Sequence, residues 1–501
     1  MQQSPNRAGG ISLRQIFPEC QIFGGGDVRV TSCSGDPRAC RPGDLFVALV
    51  DTDADGHDFA RMACRRGADA ILAERPLPVD VPVCVVPDTR IAYGRICQRL
   101  AGDPCDSLKV VGVTGTNGKT TTSMLVTSVL DAAGRLAGVT GTLGHSDCVD
   151  VSPASRTTPN PPEMADLLRR MSANGASHAV VEVSSSGLAQ HRLAGLSFDA
   201  ALLTNLRRDH LDLHGTVLNY RRAKCRLFSQ LKPNGFAVLN ADDPGSRFAL
   251  SQLDCPVITI GMHEQAEIMA TVIERHSSEQ TFLLIAGNES VPVRTRMIGD
   301  QHVSNCLTAA AVGLVMGVDL TTVARGLEAV ERVPGRLERV ECGQSFSVFA
   351  DCADTPDRLA VALKTLRRTT RGRVLCVFSA DEGHRQAERP LMGRVVEKAA
   401  ELGVITSSWD PGCDVADAMH DVLDGYERPA RAHLIPDRVQ AITWVLDQAR
   451  EGDSVLIAGG DRTEGMRVTD HGDTYRDADI ARNWLYESAK TTIQFSGIAM
   501  G

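Results

Sequence analysis

Apolar residues along this chain come in short unbroken runs, and between the runs they recur at helical spacing. "DLFVAL" (44–49), "LKVVGVT" (108–114), "HAVVEVS" (178–184), "AALLTNL" (200–206), "RVLCVFSA" (373–380), "GVITSS" (403–408) and "SVLIAGG" (454–460) show no apolar/polar alternation. Runs of that kind predict strands buried on both faces of a parallel sheet. "HDFARMACRRG" (57–67) predicts a helix closed by Gly67 and leading into the strand "ADAILAE" (68–74). A second helix is expected from about Lys119, with Met124, Leu125, Val129 and Leu130 as its apolar residues. Because strand and helix signals alternate from end to end, the fold class is α/β throughout.

Two breaks divide the pattern. "AGDPCDS" (101–107) is polar and rich in breakers, and Pro-Gly interrupts a helical stretch in "RVPGRLE" (332–338). Three domains are expected: 1–105, a smaller α/β unit; 106–333, a mostly parallel sheet carrying the glycine-rich loop; and 334–501, a Rossmann-like unit. The length of 501 residues suits three cores of ordinary size. "AKTTIQFSGIAMG" (489–501) reads as a loose tail, and no repeat or low-complexity segment is found.

Composition narrows the function classes. A formal net charge of −9 argues against a nucleic-acid scaffold, which needs a basic surface to displace counterions. No apolar run approaches the roughly 18 residues of a membrane helix, and the N-terminus lacks the apolar core of a signal peptide, so a cytoplasmic location is expected. Fifteen cysteines, none spaced C-x-x-C, read as reduced core thiols and not as disulfides or a metal cluster.

The chemistry concentrates at "GVTGTNGKTTT" (112–122). A strand entering a glycine turn and then a helix aims backbone N–H groups and the positive helix end at an anion. Lys119 would meet the β- and γ-phosphates of a nucleotide, and the Thr120 hydroxyl could ligate Mg²⁺. The ordinary loop G-x-x-x-x-G-K-[ST] would place glycine at Val113; here it stands at Gly115, so the loop is a variant. Glu182, at the end of one predicted strand, and His210, just after the next, fall at the sheet edge where ligands bind and could hold a divalent ion there.

"GVTGTNGKTTT", "EVSSSGLAQHR", "TNLRRDHLDLHG", "YRRAKCRLF", "VLNADDP" and "VPGRLE" resemble, in order and spacing, the Mur ligases, and among them the MurE type. Those enzymes form an amide with ATP and Mg²⁺, through an acyl phosphate, during assembly of peptidoglycan precursors. The resemblance implies that UDP-N-acetylmuramoyl-L-alanyl-D-glutamate and an amino acid are the substrates of a monomer. It implies nucleotide contacts at Gly115, Thr116, Asn117, Gly118, Lys119, Thr120, Thr121, Asn305, Arg336 and Asp351. Thr120, Glu182, His210 and Lys224, the last as a carbamate, would serve the metal, and Lys119, Glu182, His210 and Lys224 form the expected catalytic set. Thr157, Thr158, Ser184, Gln190 and Arg192 fall on positions that contact the muramoyl peptide. "RPGDLFVAL" and "DADGHDF" resemble the family's UDP-binding domain, with Pro37 between Asp36 and Arg38 where a serine is usual.

The likeness weakens in the last third. The family's D-Y-A-H-T-P-D appears as "DCADTPD" (351–357), with Cys352 for tyrosine and Asp354 for histidine. "DEGHRQAERP" puts Glu388 where lysine is usual, "SSWDPG" replaces D-N-P-R, "GGDRTE" replaces G-K-G-H-E, and Ser186 replaces a histidine. A carboxylate near a triphosphate would oppose phosphoryl transfer by about 1–4 kcal/mol. Two readings stay open: a working ligase whose third domain accepts a different amine, so that the family's amino-acid specificity does not carry over, and a pseudo-ligase that binds nucleotide or precursor without forming the amide.

Overall fold

The computed structural model describes residues 10–51, 54–379, 386–407, 415–460, 467–468 and 474–498. Its sheets follow the apolar runs. The first has five strands in the order Gln21–Phe23, Val83–Val85, Ala70–Ala73, Leu45–Val47, Cys33–Ser34, parallel except at the Gln21–Phe23 edge. The helix Ala60–Arg66 ends on Gly67 at φ 105°, the left-handed cap its glycine predicted.

The central sheet has eleven strands, and Lys109–Thr114 lies near its middle, hydrogen-bonded in parallel to His178–Glu182 on one side and Phe198–Leu203 on the other. This order explains the unbroken apolar runs, since both faces are covered. Val111, Val113 and Leu202 pack on one face with Leu125, Val129 and Leu130 of the helix Lys119–Ala132 and with the helix Asp300–Val315. Val110, Val181 and Leu203 pack on the other with Met164, Leu168, Tyr220 and Leu227. Met124 is only partly buried. Antiparallel strands finish both edges, Gly144–Ser146 with Val151–Ser152 at one and Gln280–Ala286 with Glu289–Thr295 at the other.

The third sheet runs Glu338–Val340, Ser347–Asp351, Ser454–Ala458, Val374–Ser379, Leu402–Thr406, Ala432–Leu434, parallel except at its first edge. The expected loose tail is corrected here, because the helix Asp477–Ile498 continues through it to Ile498. Its start is pinned inside the fold: Arg438 donates to both carboxylate oxygens of Asp477, at 2.8 and 2.5 Å, with both residues fully buried. Every described cysteine is free, and no helix among the described residues is long and apolar enough to cross a membrane.

Candidate active site

Parallel order puts three strand ends side by side, and each delivers one part of the site. From Lys109–Thr114 the chain enters the loop 115–118, which Thr204 and Asn205, at the end of the neighbouring strand, hold in place. Thr116 N–H donates to the Asn205 carbonyl (2.9 Å), Asn117 N–H to Asn205 Oδ1 (3.0 Å), and Thr204 Oγ1 to the Asn117 carbonyl (2.5 Å). Gly115 and Gly118 take φ of 148° and 85°, and a Cβ at either would collide with Thr204 Oγ1 or Asn305 Oδ1 respectively. Close approach as well as backbone freedom therefore requires glycine at both.

Glu182 ends the next strand, 2% exposed. Its Oε2 accepts from Thr120 Oγ1 (3.1 Å) and Thr142 Oγ1 (3.0 Å), and its Oε1 from Thr142 N–H (3.2 Å). Burial raises its pKa. Thr120 faces the cavity while its proton points at Glu182, so of its oxygen lone pairs one is left for a cation beside the one that Arg336 Nη2 approaches at 3.4 Å. A buried carboxylate behind a hydroxyl so oriented fits a divalent ion. No three His, Cys, Asp or Glu converge among the described residues, so nucleotide or a modified lysine would have to complete such a site.

Lys224, 1% exposed, donates from Nζ to the Gly115 carbonyl (2.7 Å) and lies 5.0 Å from the Tyr220 ring centroid. Lys119 Nζ reaches the same carbonyl and that of Thr116, both at 3.0 Å. Burial, then the positive charge of Lys119, holds Lys224 well below the ordinary lysine range, while burial and then Arg358 push Lys119 down to about 8. His210 lines the same cavity in a left-handed conformation (φ 48°), with Nε2 3.6 Å from Asp209 Oδ2.

The third unit closes over the loop. Arg336 Nη2 reaches Thr120 Oγ1 (3.4 Å) while Nη1 contacts Cys352 Sγ; from the central unit itself, Asn305 accepts from Thr122 Oγ1 (3.3 Å). Asp351 accepts from Leu337 N–H (2.7 Å), and burial raises its pKa. These residues and the loop border a cavity of about 1240 Å³.

Along the same wall, Thr157 Oγ1 meets Thr142 Oγ1 (3.0 Å), Thr158 Oγ1 bonds Ser184 Oγ (3.0 Å) and the Glu182 carbonyl (2.9 Å), and Arg192 donates to Gln190 Oε1 (2.9 Å) and the Thr158 carbonyl (3.0 Å). The five expected peptide-binding residues thus form one network, of which Thr157, Ser184 and Arg192 face the cavity. Gly115, Thr158, Glu182 and Gln190 stand behind its lining. In the first unit Asp36 turns inward on Arg38, accepting its N–H (2.9 Å) and Nε (3.3 Å).

Sequence reasoning missed Thr142, Arg156, Tyr220 and Asn205. Tyr220 stands four residues before Lys224 on one helix, a spacing that places both on one face. Thr142 carried no such signal; its contact with Glu182 comes from strand order. Glu388, at the end of a short 3-10 turn before the helix Arg389–Ala399, does not line the cavity. Residues 381–385, 408–412 and 461–464, which hold the other divergent stretches, lie outside the described residues.

A glycine-rich anion loop on a central parallel strand, facing a cavity closed by a second α/β unit, defines a nucleotide-dependent enzyme of the phosphate-loop class. Residues 113–313 match the Mur ligase middle domain and 335–460 the Mur ligase glutamate ligase domain. The chain belongs to the Mur ligase family. It is 39% identical, over 90% of its length and 93% of the relative's, to the UDP-N-acetylmuramoyl-L-alanyl-D-glutamate–2,6-diaminopimelate ligase of Geobacillus kaustophilus. A solved structure of a ligase with the same name superimposes with a TM-score of 0.70 at 28% identity, covering 96% of this chain and 99% of that one. MurF ligase from Thermotoga maritima in complex with ADP shares the fold, with a TM-score of 0.63, 21% identity, and coverage of 91% and 98%.

Proposed function

We propose that this chain is an ATP-dependent ligase that adds an amino acid to UDP-N-acetylmuramoyl-L-alanyl-D-glutamate. The observation that carries the reading is the convergence of Lys119, Thr120, Glu182 and Lys224 on one glycine loop, opposite a hydroxyl- and guanidinium-rich wall. A glutamyl carboxylate oxygen would attack the γ-phosphorus of ATP, the bond from that phosphorus to the β,γ-bridging oxygen would break, and ADP would leave. The amine would then add to the acyl phosphate, lose a proton, and expel inorganic phosphate.

Two anions must meet for the first step, and the chain's contribution is cationic. Lys119 is placed to exchange its loop carbonyls for phosphate oxygens. Arg156 and Arg192 line the cavity at the acceptor end, where they can orient a carboxylate. Thr120, Glu182, His210 and carbamylated Lys224 would hold Mg²⁺, which would lower the charge repulsion between the reactants. A Lys224 amine kept neutral by burial is the form that can add CO₂. Closure of the 334–501 unit over the loop would keep water from the acyl phosphate.

The 1–105 unit is assigned to the uridine end of the substrate. The relatives' names give diaminopimelate as their amine; "SSWDPG" stands in place of the family's D-N-P-R here. Phosphate release with ATP, Mg²⁺, the UDP-muramoyl dipeptide and a panel of amino acids that includes diaminopimelate tests the reading. Release that depends on both the dipeptide and one amine supports it; nucleotide binding without release under any combination overturns it.

A further inference from the structure

Directly after "DCADTPD" stands Arg358. It sits in the first turn of the helix Pro356–Thr369, whose N-cap is Thr355, and it lines the cavity opposite the phosphate loop. Arg358 Nε donates to Asn117 Oδ1 at 2.8 Å and Nη1 to Asp354 Oδ1 at 2.7 Å. Nη2 stands 3.8 Å from Asp209 Oδ2, beyond hydrogen-bond reach. The side chain of Asn117 is gripped from both sides, because its Nδ2 also donates to Asp357 Oδ2 at 3.2 Å. Asp357 in turn takes Arg207 Nη1 at 2.9 Å. One helix turn of the third unit is thereby locked onto the loop of the second.

Two features separate Arg358 from an ordinary interdomain strut. It is a permanently charged group that lines the same cavity as Lys119 and bonds Asn117 of the loop between them. Crowding a second cation against Lys119 costs stability unless an anion later occupies the gap between them. Asp354 and Asp209 offset part of that charge in the present arrangement, and Asp354 fixes the guanidinium plane so that Nη2 and one N–H of Nη1 are left for a further acceptor. Asp354 is also the residue that stands where the family has histidine, so the acid and the arginine form one unit in this chain.

We propose that Arg358 is a catalytic residue that contacts the γ-phosphoryl group of ATP, delivered across the domain boundary when the 334–501 unit closes, with Asp354 as its positioning residue. The inference rests on the ligase reading above. As the γ-phosphoryl passes from the bridging oxygen to the substrate carboxylate, charge spreads over its equatorial oxygens, and a planar guanidinium matches that distribution better than a point charge.

The test compares binding of ADP and of a non-hydrolysable ATP analogue to the full-length protein by calorimetry, for wild type, Arg358→Ala, Arg358→Gln and Arg358→Lys. Turnover is then measured on the same four proteins, with folding verified by circular dichroism. The expected result is that Ala and Gln weaken the triphosphate analogue by about tenfold or more and ADP by no more than about threefold, while Lys retains part of the preference. Among turnover parameters, kcat should fall more than the KM for the dipeptide rises. Equal weakening of ADP and analogue in Ala and Gln, or a Gln variant indistinguishable from wild type, would overturn the role and leave Arg358 a strut. The binding arm needs no catalysis, so a wild type that never releases phosphate would defeat the ligase reading while still deciding whether Arg358 senses the γ-phosphate.

Discussion

Lys119 and Lys224 reach the same atom: both side-chain nitrogens donate to the carbonyl oxygen of Gly115, at 3.0 and 2.7 Å. Two ammonium groups cannot share one buried acceptor cheaply. Lys224, fully enclosed and beside Tyr220, is the one driven toward the neutral amine. A neutral amine is a nucleophile toward CO₂, and the product is an anion that replaces the lysine–lysine repulsion with an attraction.

Labelled bicarbonate should therefore give a protein-bound carbamate signal in ¹³C NMR that disappears in Lys224→Ala. That variant should retain about 1% or less of the amide-forming activity. Full activity of Lys224→Ala in bicarbonate-free buffer would remove the carbamate from the account.

Glu182 is held at a cost, because burial opposes its charge and its partners are hydroxyls and one N–H. Glu182→Gln should be more stable to denaturant without nucleotide, by about 0.5–2 kcal/mol, and inactive at ordinary Mg²⁺ concentration. A destabilised variant with normal Mg²⁺ dependence would show that the carboxylate is structural.

Gly115→Ala and Gly118→Ala each force a methyl group into a neighbour at positive φ. Each should cost about 1–3 kcal/mol of stability and weaken ATP by more than tenfold, read by thermal melting and titration. Wild-type ATP affinity in either would mean that the loop does not approach phosphate closely.

Acid should destabilise the fold through buried imidazoles. Burial pushes His302 down to about 3 and His178, which also feels Lys109 and Arg135, down to about 4, from an ordinary 6.5. Above pH 6.5 neither takes a proton in either state, so they contribute no pH dependence. As pH falls below 6.5 the unfolded chain binds protons that the folded chain refuses, and stability is lost progressively until those low values are reached. His302 alone contributes up to about 1.4 kcal/mol per pH unit in that window. Denaturation of His302→Gln at pH 7 and pH 5 should show a smaller loss than wild type.

Much of this was legible in the chain because local chemistry carried it. The loop, its helix and the strands that end in Glu182 and before His210 are written in contiguous runs, since a parallel strand buried on two faces has no polar alternation. Lys224 was legible only through resemblance, because nothing local distinguishes it from a solvated helical lysine. Thr142 and Arg358 were not legible at all. The first reaches Glu182 by strand order, and the second reaches Asn117 across 241 residues of chain, a contact that exists only once two units have closed.

This loop and its lysines bring a carboxylate and ATP together. Phosphate release from ATP, Mg²⁺ and UDP-N-acetylmuramoyl-L-alanyl-D-glutamate, measured with and without each amino acid of a panel and repeated with Lys119→Ala, tests it most directly. Release is expected only when both the dipeptide and one amine are present, with the matching UDP-muramoyl tripeptide formed in equal amount and no release from the variant. Release that ignores the dipeptide, or a Lys119→Ala protein that turns over like wild type, would contradict it.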